Sequence, residues 1–331
     1  MASRTRAALT TIAGKTVGPV GYGLLSLTVP WAPIEFPTAI KLMKTALENG
    51  ANFWDGGTHY GTPERNSLHL VRAYFEQYPE DADKVVLSIK GAFTLKDGPD
   101  NSPEGIRASV EESIKVLPPS IKPIDIFQCS RVDAKVPIET TIQTLAELVK
   151  EGKIRSVGVS EVNANTLRRA HAVHPISAAE IELSLFTTDP LHNGVLDTCH
   201  ELGIPVVAYS PVGRGFLSGQ IRKPDDLPEN DFRRMLPRFQ PENFDQNIKL
   251  VEAVSKIAEA KGVTTAQVAI GWVIKHGGIP IPGSTKEARI LENTKPAELT
   301  DGDLDEIQKI LDTIPVSGQR YGGEQEKLLN G

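Results

Sequence analysis

Eight short runs of apolar, largely β-branched residues recur along this chain. Stretches with helical spacing separate them, and that alternation leaves few folds open. The runs are Pro19–Leu27, Ala51–Asp55, Lys84–Lys90, Ile124–Ser130, Ile154–Ser160, Ile176–Glu182, Ile204–Ser210 and Ile279–Pro282. Between them lie amphipathic periods such as Ile40, Met43, Ala46 and Leu47, stopped by Gly50 as a C-terminal cap. Thr141, Leu145, Leu148 and Val149 repeat the spacing, with Pro137 at an N-terminus. Near-continuous apolar runs fit strands of a parallel sheet covered by helices on one side and filled on the other. Eight such units in 331 residues, with no central break in composition, predict an α/β fold. The specific expectation is a closed (β/α)8 TIM barrel forming one domain over residues 1–331, in preference to two doubly wound halves. Two irregularities stand out. A long loop, Pro211–Gln246, follows the seventh strand and is expected to be a lid or disordered. A C-terminal tail, Pro315–Gly331, follows the last predicted helix (Asp303–Ile314) and either covers the barrel mouth or frays.

Composition narrows the function classes. A net charge of −6 disfavours a general nucleic-acid or anionic-membrane partner. No run approaches the ~18 apolar residues of a membrane span. The N-terminal Met1-Ala2-Ser3-Arg4-Thr5-Arg6 leads into no apolar segment of a secretory signal, and the two cysteines, Cys129 and Cys199, read as reduced thiols. The expected setting is cytoplasmic, with a small molecule as partner and no metal. His171 and His174, three apart on a helix, carry no carboxylate motif around them and read as helix surface.

In a barrel the C-terminal strand ends converge on one face, where catalytic groups collect. Asp55 ends the second run, Tyr60 follows five residues later, Lys90 ends the third run and Ser130 ends the fourth. Period-two alternation puts Phe53 and Asp55 on one side of their strand and Trp54 on the other. Lys90 shares a side with Ser88 and Val86. If Asp55 and Lys90 face the interior they must pair, because an unpaired buried charge is costly. A lysine cation beside Tyr60 is expected to lower the phenol from its ordinary ~10 and make it a general acid near neutral pH. Cys129 points the opposite way from Ser130 and reads as core.

No complete G-x-G-x-x-G is present. Gly213-Arg214-Gly215-Phe216-Leu217-Ser218-Gly219 has one residue too many and reads as the start of the long loop. Gly283, Ser284 and Thr285 stand where the last strand enters a helix, a place suited to phosphate, with Lys286 and Arg289 within a turn. Arg214 and Arg238 in the long loop are candidate clamps for a pyrophosphate or a 2′-phosphate. Trp31 and Phe93, in loops at the same face, are candidate walls of a substrate pocket.

The segment Asn49-Gly50-Ala51-Asn52-Phe53-Trp54-Asp55 through Tyr60-Gly61 resembles the signature of the aldo-keto reductases around their catalytic Asp and Tyr. Leu148-Val149-Lys150-Glu151-Gly152-Lys153-Ile154-Arg155, continuing through Val157-Gly158-Val159-Ser160, is similar to their entry into the fifth strand. Ala208-Tyr209-Ser210-Pro211 and Ile281-Pro282-Gly283-Ser284-Thr285 match the ends of strands seven and eight. The resemblance covers roughly residues 16 to 315. It implies a catalytic tetrad of Asp55, Tyr60, Lys90 and Ser130, with Ser130 where the family normally has histidine. It also implies NADPH as cofactor. Arg289 then meets the 2′-phosphate, Glu292 and Asn293 the adenine, Tyr209 stacks on the nicotinamide, and Ser160 and Glu180 take the carboxamide. The family often has Gln at the last of these places, and Asn where Glu161 stands. Gly23, Leu24 and Ser210, at strand ends, complete the expected cofactor contacts.

The Phe-Gln-Cys-Ser-Arg-Val-Asp segment looks most like the fungal pyridoxal reductases. The resemblance therefore implies reduction of an aldehyde, pyridoxal first, with Tyr60 as proton donor. Two alternatives stay open: a reductase of another aldehyde or ketone, and a cofactor-binding regulatory subunit like the potassium-channel β subunits.

Overall fold

The computed structural model describes residues 10–331; the N-terminal stretch read for targeting, Met1–Arg6, lies outside them. Eight parallel strands among the described residues form the sheet: β1 (Tyr22–Gly23), β2 (Phe53–Gly57), β3 (Val86–Gly91), β4 (Ile126–Cys129), β5 (Val157–Ser160), β6 (Ile176–Glu182), β7 (Val206–Tyr209) and β8 (Gly278–Pro280). Each pairs with its sequence neighbour, and the Gly21 amide donates to the Pro280 carbonyl at 2.9 Å, which ties β8 back to β1. The result is a TIM barrel. Helices α1 (Phe36–Glu48), α2 (Ser67–Gln77), α3 (Pro103–Val116), α4 (Ile138–Lys150), α5 (Ala164–Val173) and α6 (Val195–Leu202) follow the first six strands in turn. After β7 come α7 (Pro241–Lys261) and α8 (Thr265–Lys275), and after β8 come α9 (Glu287–Asn293) and α10 (Asp301–Thr313). Gly50 caps α1 in the left-handed region at φ 85°, and α4 begins directly after Pro137.

Alternation along the strands sorts the core into layers. Trp54 packs outward against Tyr74 and Phe75 of α2, while Phe53 faces inward with Val86, Ile126, Ala178, Val207 and Ile279. A hairpin of Thr10–Ile12 and Lys15–Val17 inserts Ile12 and Val17 into this inner layer. Above it the inward positions become polar: Asp55, Ser88, Lys90, Gln128, Ser160, Glu180 and Glu182, all at most 3% exposed. Cys129, one residue out of phase, packs toward the helices. Among the described residues, no helix is long and apolar enough to cross a membrane.

Three stretches depart from expectation. The strand expected over Pro19–Leu27 is only Tyr22–Gly23, and Leu25–Thr28 forms a helical turn instead. Leu27 and Thr28 are as buried as a strand would be, so an apolar run does not distinguish the two. The loop expected over Pro211–Gln246 is shorter, because α7 starts at Pro241. Its remainder is a chain of 3-10 turns at Gly213–Ser218, Pro224–Asp226, Phe232–Met235 and Pro237–Phe239. Phe216 packs there against Phe186, Phe239 and Phe244, so the segment carries its own apolar contacts. The third is the tail, which had two possible fates and takes the first, lying across the barrel mouth.

Arg320 anchors the tail. Its guanidinium donates to Glu161 at 2.8 Å, to Glu182 at 3.2 Å and to the Tyr209 hydroxyl at 2.7 Å. Further along, the Gly331 amide donates to the Glu161 carbonyl at 3.0 Å. Burial pushes the Glu182 carboxyl up, but Arg214, Arg320 and Arg238 outweigh it and hold it down at about 2.

Two outcomes are expected from this packing. A Cβ on Gly21 would stand 2.7 Å from the Phe53 carbonyl oxygen and 2.9 Å from Ile281 Cγ2. Gly21→Ala should therefore cost ~1–3 kcal/mol through overpacking at the closing seam, read as a lower urea midpoint. Glu182 has a folded pKa below its unfolded one, so its contribution is complete above the ordinary carboxylate range. That contribution is lost as pH falls from ~4 toward its folded value. Hydrogen exchange over residues 318–331 should quicken in that acid window, and Glu182→Gln should produce the same quickening at pH 7.

Candidate active site

The polar layer of the barrel holds a three-member ion set. Lys90 Nζ lies 2.6 Å from Asp55 Oδ2 and 2.6 Å from Glu180 Oε1, with all three side chains at most 4% exposed. The ladder puts Asp55 opposite Ser88, and Lys90 opposite Gln128, so neighbouring strands deliver these groups to one height. Gln128 Nε2 donates to the second Glu180 oxygen at 2.7 Å and to Ser88 Oγ at 3.2 Å. The expected Asp55–Lys90 pair is present. Glu180, expected at the carboxamide, is here a second partner of Lys90.

Tyr60 is held by its backbone. Its carbonyl accepts from Thr28 Oγ1 at 2.7 Å and from the Ser67 amide at 3.1 Å, and its ring lies 5.4 Å from Lys90 Nζ. The phenol's ionisation differs from expectation. Burial raises it above its ordinary value; Lys90 opposes this, but Asp55 and Glu180 reinforce it. Burial and the two acids together outweigh the lysine, so the phenol keeps its proton at neutral pH.

Ser130 follows β4 at the mouth, and its hydroxyl donates to the Gly91 carbonyl at 3.1 Å. That donor is engaged with backbone. His59, which the sequence did not single out, stands edge-on to Tyr60 at 4.7 Å and 5.1 Å from the Phe93 ring. Burial, then Lys90 and Arg131, lower its pKa to about 3, so the imidazole is neutral. Phe93 is thus at the mouth as expected. Trp31 packs on Phe232 of the long loop at 5.2 Å, and its carbonyl accepts from Asn230.

The expected cofactor residues divide. Gly23 and Gly283 face each other across the β8–β1 seam, where a Cβ on Gly283 would come 2.8 Å from the Gly23 oxygen. Leu24 follows Gly23, its amide bonded to the Asp55 carbonyl. Thr285 and Lys286 are exposed, no side chain caps the start of α9 at Lys286, and Arg289 makes no ion pair among the described residues. Ser160 Oγ is buried without a hydrogen-bond partner among them. Asn293 is buried at the far end of α9, and Glu292 accepts from Thr264 Oγ1 at 2.6 Å, so part of its carboxylate is taken. Ser210 lies at the end of β7 in the left-handed region at φ 52°, a strained backbone of the kind found at functional sites. These groups fit a phosphate-bearing dinucleotide along the seam and α9.

Arg214 and Arg238 do not stand free. Arg214 bonds Glu182 at 3.2 Å and stacks 4.1 Å over Tyr321; Arg238 bonds Glu182 at 3.4 Å and Thr187 at 2.8 Å. Tyr209 donates or accepts with Tyr321 at 3.3 Å and receives Arg320. Of the residues the sequence reading missed, Gln128 and Glu182 carried a signal, being polar positions in phase with Ser130 and Glu180. Arg320 and Tyr321 carried none.

The pattern of the Aldo/keto reductase family matches residues 19–312. A fission-yeast (Schizosaccharomyces pombe) protein named "Probable pyridoxal reductase 2" is 40% identical over 330 residues, spanning 96% of this chain and 98% of that protein. "Aldo-keto reductase yakc [NADP(+)]" from the same organism is 35% identical over 332 residues, 94% of this chain and 93% of its own. Among solved structures, the glycerol dehydrogenase AKR11B4 from Gluconobacter oxydans superposes with a TM-score of 0.80 at 25% identity. It covers 96% of this chain and 98% of that one. A barrel whose mouth gathers an acid, an amine and a phenol, matched along most of its length by this family, is an oxidoreductase that belongs to the aldo/keto reductases.

Proposed function

We propose that the protein reduces an aldehyde, pyridoxal first, with NADPH as the reductant. The observation that carries the reading is the Asp55–Lys90–Tyr60 arrangement. A phenol that keeps its proton at neutral pH stands beside a buried ammonium, at the end of the barrel where substrates enter. The relative named a pyridoxal reductase supports the substrate, and the relative whose name carries NADP(+) supports the cofactor.

NADPH, when bound, supplies the hydride. Arg289 and the uncapped start of α9 would hold its phosphate, while Gly23 and Gly283 let the two chain segments of the neighbouring seam meet closely. Tyr60 donates its proton to the carbonyl oxygen as negative charge develops there, and Lys90 stabilises the tyrosinate that results. Neutral His59 and Phe93 line the approach to Tyr60.

A second reading, cofactor binding with little turnover, draws on two observations: Ser130 spends its hydroxyl on Gly91, and the tail covers Tyr209. One assay separates the two. Following NADPH absorbance with pyridoxal should give turnover, and Tyr60→Phe should cut kcat by ~10²–10⁴ with NADPH still bound. Absence of turnover, or turnover indifferent to that substitution, overturns the reductase reading. Arg289→Ala should raise KM for NADPH ~10–100-fold while leaving KM for NADH nearly unchanged, since only NADPH carries the phosphate.

A further inference from the structure

The ion set at Lys90 contains one cation and two acids. Asp55 and Glu180 each lie 2.6 Å from Lys90 Nζ, and all three side chains are buried. With both acids ionised the cluster would carry a net negative charge in the barrel interior. Gln128 donates to Glu180 Oε2, but nothing among the described residues pairs Asp55 Oδ1. Two carboxylates so close cannot both ionise cheaply when a single ammonium serves them.

We propose that Glu180 is a positioning residue of the reaction: by competing with Asp55 for Lys90 it keeps a proton on Asp55, and so sets how much of the lysine's charge Tyr60 feels. The assignment rests on the reductase reading for its catalytic consequence, while the proton on Asp55 does not depend on it. Burial first, then Glu180, raises the Asp55 carboxyl well above its ordinary range despite Lys90. Glu180 also pushes the Tyr60 phenol upward. The charged and titratable groups acting on Tyr60 are Lys90, Asp55 and Glu180, with Arg131 and the neutral His59 beside it. Those facing Glu180 are Lys90 and Asp55, with the amide of Gln128 on its other oxygen. A glutamine at position 180 keeps the shape and removes the charge. Asp55 would then ionise against Lys90 alone, and the cluster would hold no acid proton.

The proton has its own signature. Infrared difference spectra of the intact protein at pH 7, wild type minus Glu180→Gln, should show the carbonyl stretch of one buried protonated carboxyl lost from the variant. Asp55→Asn should lose the same band, which covers the case in which Glu180→Gln does not fold. Persistence of the band in folded variants, or its absence from the wild type, overturns the proton on Asp55, whether or not pyridoxal is turned over. In turnover, above the pH at which that proton leaves, the wild-type cluster gains a negative charge that Glu180→Gln does not, so the alkaline limb of kcat/KM should lie about one unit lower in the variant, with the Kd for NADPH unchanged. An unmoved pH profile with a weakened Kd would return Glu180 to the cofactor and sink the positioning role.

Discussion

Lys90, buried between Asp55 and Glu180, is the contact on which the mouth of this barrel depends. A buried ammonium is tolerated only when its charge is met at short range, and here it is met twice. The second partner changes the chemistry. One carboxylate already balances the lysine's charge, and the second acid, together with burial, keeps the lysine from acidifying Tyr60. The phenol of Tyr60 accordingly stays protonated, the form that a proton donor needs.

The polar layer depends in turn on the apolar one below it. Phe53, Val86, Ile126, Ala178, Val207 and Ile279 fill the lower barrel, with Ile12 and Val17 of the hairpin packed among them. Water is displaced from that end, so the charges above must satisfy one another. The same demand explains Glu182. It lies two residues beyond Glu180 on the same side of β6, and it is met by three guanidiniums from three separate segments: Arg214, Arg238 and Arg320. One buried carboxylate thereby fastens the long loop and the C-terminal tail over the site.

Much of this is legible in the sequence. The period of two placed Asp55 inward and Trp54 outward, and the same rule turned Cys129 away from the mouth. Gly50 marked the end of α1. Where reading failed, local pattern was ambiguous or irrelevant. Leu25–Thr28 is apolar as a helical turn and would be apolar as a strand. Arg214 and Arg238 looked like free phosphate clamps because their carboxylate partner comes from another strand. Ser130 looked like a donor to substrate, yet its nearest acceptor is the Gly91 carbonyl on the adjoining strand.

The amino-acid order is enough to specify the barrel, the succession of its strands and the identity of the acid, amine and phenol at their ends. These follow from spacing along the chain, which covalent geometry imposes within a few residues. Only the tertiary structure decided how the charges combine. Lys90 and Glu180 lie 90 residues apart, and Glu182 and Arg320 138 residues apart. No local pattern announces such pairs, because burial and distance, the quantities that fix a charge's partner and a phenol's proton, exist only once the sheet has closed.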